Sequence, residues 1–341
     1  MGSRCRIVIG GGSADLVTRA RDLVIELEQR WSRFLTDSEI SALNGRPGRV
    51  TLVSPSTYRL ISSGQTGNDA TGGWYNPLML DQLEGHGYRR SWCQRSAVPD
   101  QRPITPGSTE PVVAYPELSA VRLPEGTRFD PGGIGKGMAA DMVAEYCLEQ
   151  GATTVSVELG GDLRVAGVPW YGPQWRVAVA NPFDRDQEIA AFTPTEGAVT
   201  TSTTNLKVWS HKTTSYHHLL DPTTGYPANS DLVSVTTCSS MAWWSEVAAK
   251  AALVAGVDRW PRFLDSLGVP GVGVTRSGQV LTTGTGSATR AALAATSTPS
   301  SAVTSTLSST LGSASTLTSA PGPASDPGGH NLRPQVGGGV A

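Results

Sequence analysis

At 341 residues, 38% of them hydrophobic, the chain is long enough for one large domain or two smaller ones around a real core. Lys and Arg total 27 against 29 Asp and Glu, a formal charge of −2 with no basic run and no aromatic-rich basic patch, so nucleic acid is not an expected partner. Cys5, Cys93, Cys147 and Cys238 lie far apart with no CxxC, which argues against a zinc site or a disulfide framework. The first apolar stretch is too short for a signal-peptide core and none is long enough for a membrane span, so the expectation is a cytoplasmic protein that is not membrane-embedded.

In chain order, Arg4 to Ile9 reads as a short strand, and GGGSADL then opens a helix with Ser13 as the expected N-cap. Leu16, Val17, Ala20, Leu23, Val24, Leu27, Trp31 and Phe34 recur at three- and four-residue steps and predict one buried stripe. The three consecutive glycines lack the GxGxxG spacing of a dinucleotide fold and read as a loop.

The stretch FDPGGIGKGMAAD, Phe129 to Asp141, places Lys136 among glycines ahead of a helix predicted from Gly137 to Gln150, with a stop at Gly151. Glycines let backbone approach a ligand closely, and a lysine beside free helix N–H groups favours an anion. A bound phosphate and a plain strand-to-helix turn both fit. A P-loop does not, because Gly137 stands where Ser or Thr is needed.

Short β-rich runs follow: VSVEL, WRVAVA, HHLL, LVSVTT, and the pair GVGVT and QVLTT joined by an Arg276-Ser277-Gly278 turn. Three polar stretches read as loops at strand ends. In ELGGDLRVAG, Gly160 and Gly161 open a close approach with Asp162 ready for a hydroxyl or amide, or else mark a bulge and a capping carboxylate. In TTSTTN, five hydroxyls in six residues suit a phosphate or sugar, or a solvated turn. In HHLLDPTTGYP, His218 and Asp221 flank Leu219-Leu220 ahead of a turn, a pattern open to a structural or a catalytic histidine. A third helix is predicted from Trp243 to Ala255. It sets Glu246 and Lys250 four apart on one face, an ion pair worth about 0.3–0.5 kcal/mol if it lies on the surface. After Gly286, Ser, Thr, Ala, Gly and Pro dominate, which predicts a disordered tail over 286–341 behind a folded region of 1–285. Few helices and strands that often follow one another predict an α+β fold with largely antiparallel sheets.

The ordered series DSEISALN, TGGWYNP, FDPGGIGKGMAAD, ELGGDLRVAG, AVTTS, HHLLDPTTGYP, SVTT and SEVAAKAALVAG resembles the FAD:protein FMN transferase, or ApbE-type, family over nearly all of 1–285. The resemblance implies two interlocked α+β lobes with FAD in the cleft between them and a divalent metal, usually Mg2+. The implied reaction moves FMN from FAD to a Thr or Ser hydroxyl of an acceptor protein and releases AMP. By position, Trp74, Tyr75, Asn76, Asp130, Lys136 and Leu220 match FAD-contacting residues, the Gly133 carbonyl and positions 246 and 250 match metal ligands, and His218 with Asp221 match the HxxDP stretch as candidate bases. Asn76 replaces an acid, Glu246 a usual aspartate and Lys250 a usual threonine, and an ammonium cannot ligate a cation. Metal binding is therefore expected to be weakened. Alternative expectations from the same residues are an FAD pyrophosphatase yielding FMN and AMP, and a flavin-binding protein without activity.

Overall fold

The computed structural model describes residues 3–91, 98–100 and 103–284, together with the backbone of 289–290 and 317–318. Cys93 and most of the predicted disordered tail lie outside the described residues. The chain begins with β1 (Cys5–Gly11), α1 (Leu16–Trp31), α2 (Glu39–Asn44), β2 (Thr51–Leu52), α3 (Pro55–Ala70) and α4 (Leu80–Gly85). There follow β3 (Val113–Tyr115), β4 (Ala120–Arg122), α5 (Gly135–Glu149), β5 (Ala152–Leu159), β6 (Asp162–Gly167), β7 (Val177–Ala180), β8 (Glu188–Phe192) and β9 (Gly197–Thr203). The remainder is β10 (Val208–His211), β11 (Thr214–His217), β12 (Leu232–Ser239), α6 (Ala242–Ala255), α7 (Trp260–Ser266), β13 (Gly271–Thr275), β14 (Val280–Thr283) and the two-residue strands β15 (Thr289–Arg290) and β16 (Leu317–Thr318).

Eight strands form the main sheet in the order β14-β13-β12-β9-β6-β5-β1-β16, every pairing antiparallel. The α+β expectation therefore holds. Helix α5 packs on β5 and β6, α6 packs on β9 and β12, and the two helices pack on each other. Both are rich in alanine and bury nearly their whole circumference, with Met138, Ala139, Ala140, Val143 and Ala144 of α5 fully inaccessible. Such small side chains bring backbones close: a Cβ on Gly137 would sit 2.4 Å from the carbonyl oxygen of Ala242. Asp141 of α5 caps α6, its two oxygens accepting the amides of Ala242 and Trp243 at 2.9 Å each. Burial lifts the Asp141 carboxyl to about 6 against the pull of these amides and Arg164.

Several predicted boundaries shift for local reasons. Ser13 is not the N-cap of α1. The helix starts at Leu16, and the Ser13 hydroxyl instead accepts a bond from Arg19. The predicted stripe is buried at Leu16, Ala20, Leu27 and Trp31 and half-buried at Val17, Leu23 and Val24, whereas Phe34 lies beyond the helix. TTSTTN is mostly strand rather than loop, since Thr200 to Thr203 pair with β12. ELGGDLRVAG is the β5–β6 hairpin, with Gly160 and Gly161 at φ +63° and +96° as a tight two-residue turn requires. HHLL is not a strand: β11 ends at His217, and Leu220 makes a single bridge to Pro227.

Helices are more numerous than predicted, and α3 is the largest omission. Ser54 caps it by accepting the Thr57 amide, and Pro55 opens it. Its Gly64 and Gly67 weaken the helical signal for a packing reason: a Cβ would lie 3.1 Å from Phe129 at the first and 3.0 Å from Val247 at the second.

Candidate active site

Three of the sequence motifs meet at the glycine loop. The Asn44 side chain holds Phe129 on both sides, accepting its amide at 2.7 Å and donating to its carbonyl at 2.9 Å. The Asp130 amide donates to the Pro77 carbonyl at 2.8 Å. Pro131–Gly133 then form one 3-10 turn, and α5 starts at Gly135.

Two adjoining chambers, each open to solvent, flank this loop. One is walled by Trp31, Phe34, Leu83 and Tyr88, with Arg33 and Asp130 among its lining residues. The other is walled by Gly133, Gly160, Asp162, Thr201 and Glu246. Gly132, Lys136, Lys207, His218 and Lys250 face both and form the boundary between them. The first suits a planar ring system, and the second suits an anion.

Electrostatics divide the boundary residues. Lys136 pairs with Glu246 and, at 2.6 Å, with Asp162. Burial pulls its ammonium down, but the two carboxylates outweigh burial and hold it above the ordinary lysine value. Glu246 also accepts the Gly137 amide at 2.8 Å, so the start of α5 and its lysine share one carboxylate from α6. Burial leaves Glu246 above its usual value despite Lys136. Asp130 is held by Arg33, its Oδ1 3.1 Å from Nε, and the Arg33 guanidinium lies over Phe34 and Tyr88 at 4.2 and 4.8 Å.

Lys207 and Lys250 have no carboxylate within ion-pair distance among the described residues. Burial lowers both, Lys207 to about 8 with Lys136 adding repulsion. His218 is lowered well below the usual imidazole value by burial and by Lys207 and Lys250, and its buried Nδ1 has no hydrogen-bond partner. It is therefore neutral, and able to accept a proton, at neutral pH.

Of the residues singled out from sequence, Asp130, Lys136, Gly133, His218, Glu246 and Lys250 line the two chambers. Trp74, Tyr75, Asn76, Leu220 and Asp221 do not line either chamber. Tyr75 is fully buried under the glycine loop, with the Lys250 ammonium 5.5 Å from its ring centre. Asn76 donates to the Ser108 carbonyl and accepts the Leu78 amide, fixing the turn before α4. Trp74 lies under the Arg259 guanidinium at 5.3 Å, and Leu220 packs with Met79 and Leu83. Asp221 does not orient His218: its Oδ1 accepts the amide and hydroxyl of Thr223 at 2.8 and 2.7 Å and closes its own turn. The predicted surface pair of Glu246 with Lys250 is also absent, because Lys136 takes Glu246 while Lys250 crosses Gly133.

Arg33 and Lys207 were not singled out from sequence. Arg33 ends an amphipathic stretch as one charge among many, and Lys207 follows a polar run. Its φ of +52°, unusual for a residue with a Cβ, is visible only in the fold.

The family model for ApbE matches residues 1–273. The chain belongs to the ApbE family. An ApbE relative named FAD:protein FMN transferase from Vibrio cholerae is 27% identical over 72% of this chain and 75% of its own. Another of that name, from Treponema pallidum, is 26% identical over 76% and 78%. Among solved ApbE structures, that of the Thermotoga maritima protein superposes with a TM-score of 0.73 at 25% identity, covering 81% of this chain and 93% of its own. The family match takes in both chambers and every boundary residue described above.

Proposed function

We propose that the protein transfers FMN from FAD to a Thr or Ser hydroxyl of an acceptor protein. The observation that carries this reading is the junction at His218: an aromatic chamber and a cation-lined chamber meet at a neutral histidine, in a chain whose relatives carry that activity in their names. FAD carries a flat ring system on each side of a central diphosphate; a ring suits the aromatic chamber and the diphosphate suits the cation-lined one. Arg33 with Asp130 closes the aromatic side, and the ammonium groups of Lys207 and Lys250, which have no ion-pair partner among the described residues, are placed to face the diphosphate.

In the reaction the acceptor oxygen forms a bond to the FMN phosphorus, the bond from that phosphorus to the bridging oxygen breaks, and AMP leaves. The hydroxyl proton passes to His218. Charge building on the phosphoryl oxygens is balanced by fixed ammonium groups, one of the ways in which phosphoryl transfer is assisted.

Magnesium, which the family resemblance implies, does not fit the donors of this chain. Glu246 already receives Lys136 and the Gly137 amide, Asp162 shares Lys136, and position 250 carries an ammonium. Among the described residues no three His, Cys, Asp or Glu side chains gather as a metal-binding group. The three described cysteines are free, which accords with a reducing compartment such as the cytoplasm, and no described helix is long and apolar enough to cross a membrane.

The test is incubation with FAD and a protein bearing an exposed Thr/Ser acceptor motif, read by intact mass and by AMP release. Acceptor gaining one FMN per AMP released is the expected result. AMP release with an unlabelled acceptor would assign the site to FAD hydrolysis.

A further inference from the structure

The charges lining the two chambers do not balance locally. Asp130 pairs with Arg33, and Asp162 and Glu246 share Lys136, so three carboxylates face four cations and the lining carries a formal surplus of one positive charge. Lys207 and Lys250 have no ion-pair partner among the described residues; both are half-buried and both face the two chambers. Taking a charge out of water without an ion-pair partner is costly, and two ammonium groups that face the same chambers without one favour an anion there.

The backbone is shaped to present them. A Cβ on Gly133 would lie 2.8 Å from both Cδ and Nζ of Lys250, so the bare glycine leaves room for the lysine to pass close over the loop. Tyr75 supports it from below, its ring 5.5 Å from Nζ. Lys207 is displayed by a left-handed backbone at φ +52°, a conformation that carries strain for any residue with a side chain.

We propose that Lys250, together with Lys207, is a built-in cation that holds the diphosphate of the dinucleotide, so that binding requires no divalent metal. The inference rests on the flavin reading of the site. A divalent ion needs hard oxygen donors, and an ammonium supplies only N–H groups. An ammonium supplies to phosphate oxygens both the positive charge and three hydrogen bonds, without needing ligands of its own. Lys250 enters beside the Gly133 backbone and near Asp130 and Glu246, and it fills that corner with charge already in place.

The test titrates the full-length protein with FAD by calorimetry, once in chelator and once in millimolar magnesium, and follows Mn2+ by electron paramagnetic resonance in the presence of FAD. The dissociation constant for FAD is expected to agree within about threefold between the two conditions, less than 1 kcal/mol, and Mn2+ to remain free. Lys250→Met, which keeps the apolar stem, is expected to weaken FAD binding in chelator by about tenfold or more while leaving the melting temperature unchanged or raised. FAD binding that appears only with magnesium, Mn2+ held at the site, or parental affinity in Lys250→Met would each overturn the inference and leave the flavin reading standing. Absence of FAD binding in both conditions would overturn the two together.

Discussion

Lys136 and Lys250 enter the same cleft from neighbouring helices, one at the start of α5 and the other in the third turn of α6, and their surroundings give them different work. Lys136 sits between Asp162 and Glu246 and also ties the β5–β6 hairpin to both helices. Lys250 crosses Gly133 to a position with no carboxylate in ion-pair reach among the described residues, and Lys207, facing the same two chambers, has none either. Burial lowers the ammonium in both surroundings, and only paired carboxylates reverse it. A paired lysine holds the architecture together, and an unpaired one keeps its charge available to a ligand.

Removing Lys136 separates the two roles most sharply. Lys136→Met leaves two buried carboxylates facing each other and is expected to cost about 3–5 kcal/mol of stability, read by denaturant unfolding. A loss under 1 kcal/mol would show that the pair does not carry the structural load. Lys207→Gln is expected to do the opposite, leaving the fold intact or slightly steadier while weakening FAD binding by about tenfold.

The pH dependence follows from the same lysine. Its folded value of about 8 lies below the ordinary 10.5, so the cost of burying the charge is fully present below pH 8 and disappears as pH rises from there toward 10.5. Stability is therefore expected to gain over that window as FAD affinity falls, and Lys207→Gln to flatten both trends. The smallest effect is expected at Asp221→Asn, which disturbs one turn: roughly 1 kcal/mol or less in stability and an unchanged transfer rate. A large loss of rate there would return Asp221 to the chemistry.

How much of this was legible in the sequence depended on whether the signal was local. Helices α1, α5 and α6 were readable because their periodicity and small residues lie in one continuous segment, and the β13–β14 hairpin because its turn is. Helix α3 was not, since Gly64 and Gly67 answer to Phe129 and Val247, which lie far along the chain. In the cleft, the glycine loop, Lys136, His218 and Glu246 stood out by motif. Arg33 did not, because its worth comes from Asp130 and two aromatic rings brought to it by folding. Four-residue spacing suggested a Glu246–Lys250 pair, but Lys136, 110 residues away in sequence, reaches Glu246 in its place.

The central claim, that a neutral His218 at the junction of the two chambers accepts the acceptor's proton, is tested most directly by FMN transfer in His218→Ala against the parent over a pH series, with FAD affinity measured alongside. Because burial holds His218 well below 6.5, the parent is expected to keep its rate as pH falls through 6.5, where an ordinary histidine would lose half its base form. His218→Ala is expected to bind FAD like the parent and to transfer FMN about 10²–10⁴-fold more slowly. Transfer at the parental rate in His218→Ala, with FAD bound normally, would contradict the account.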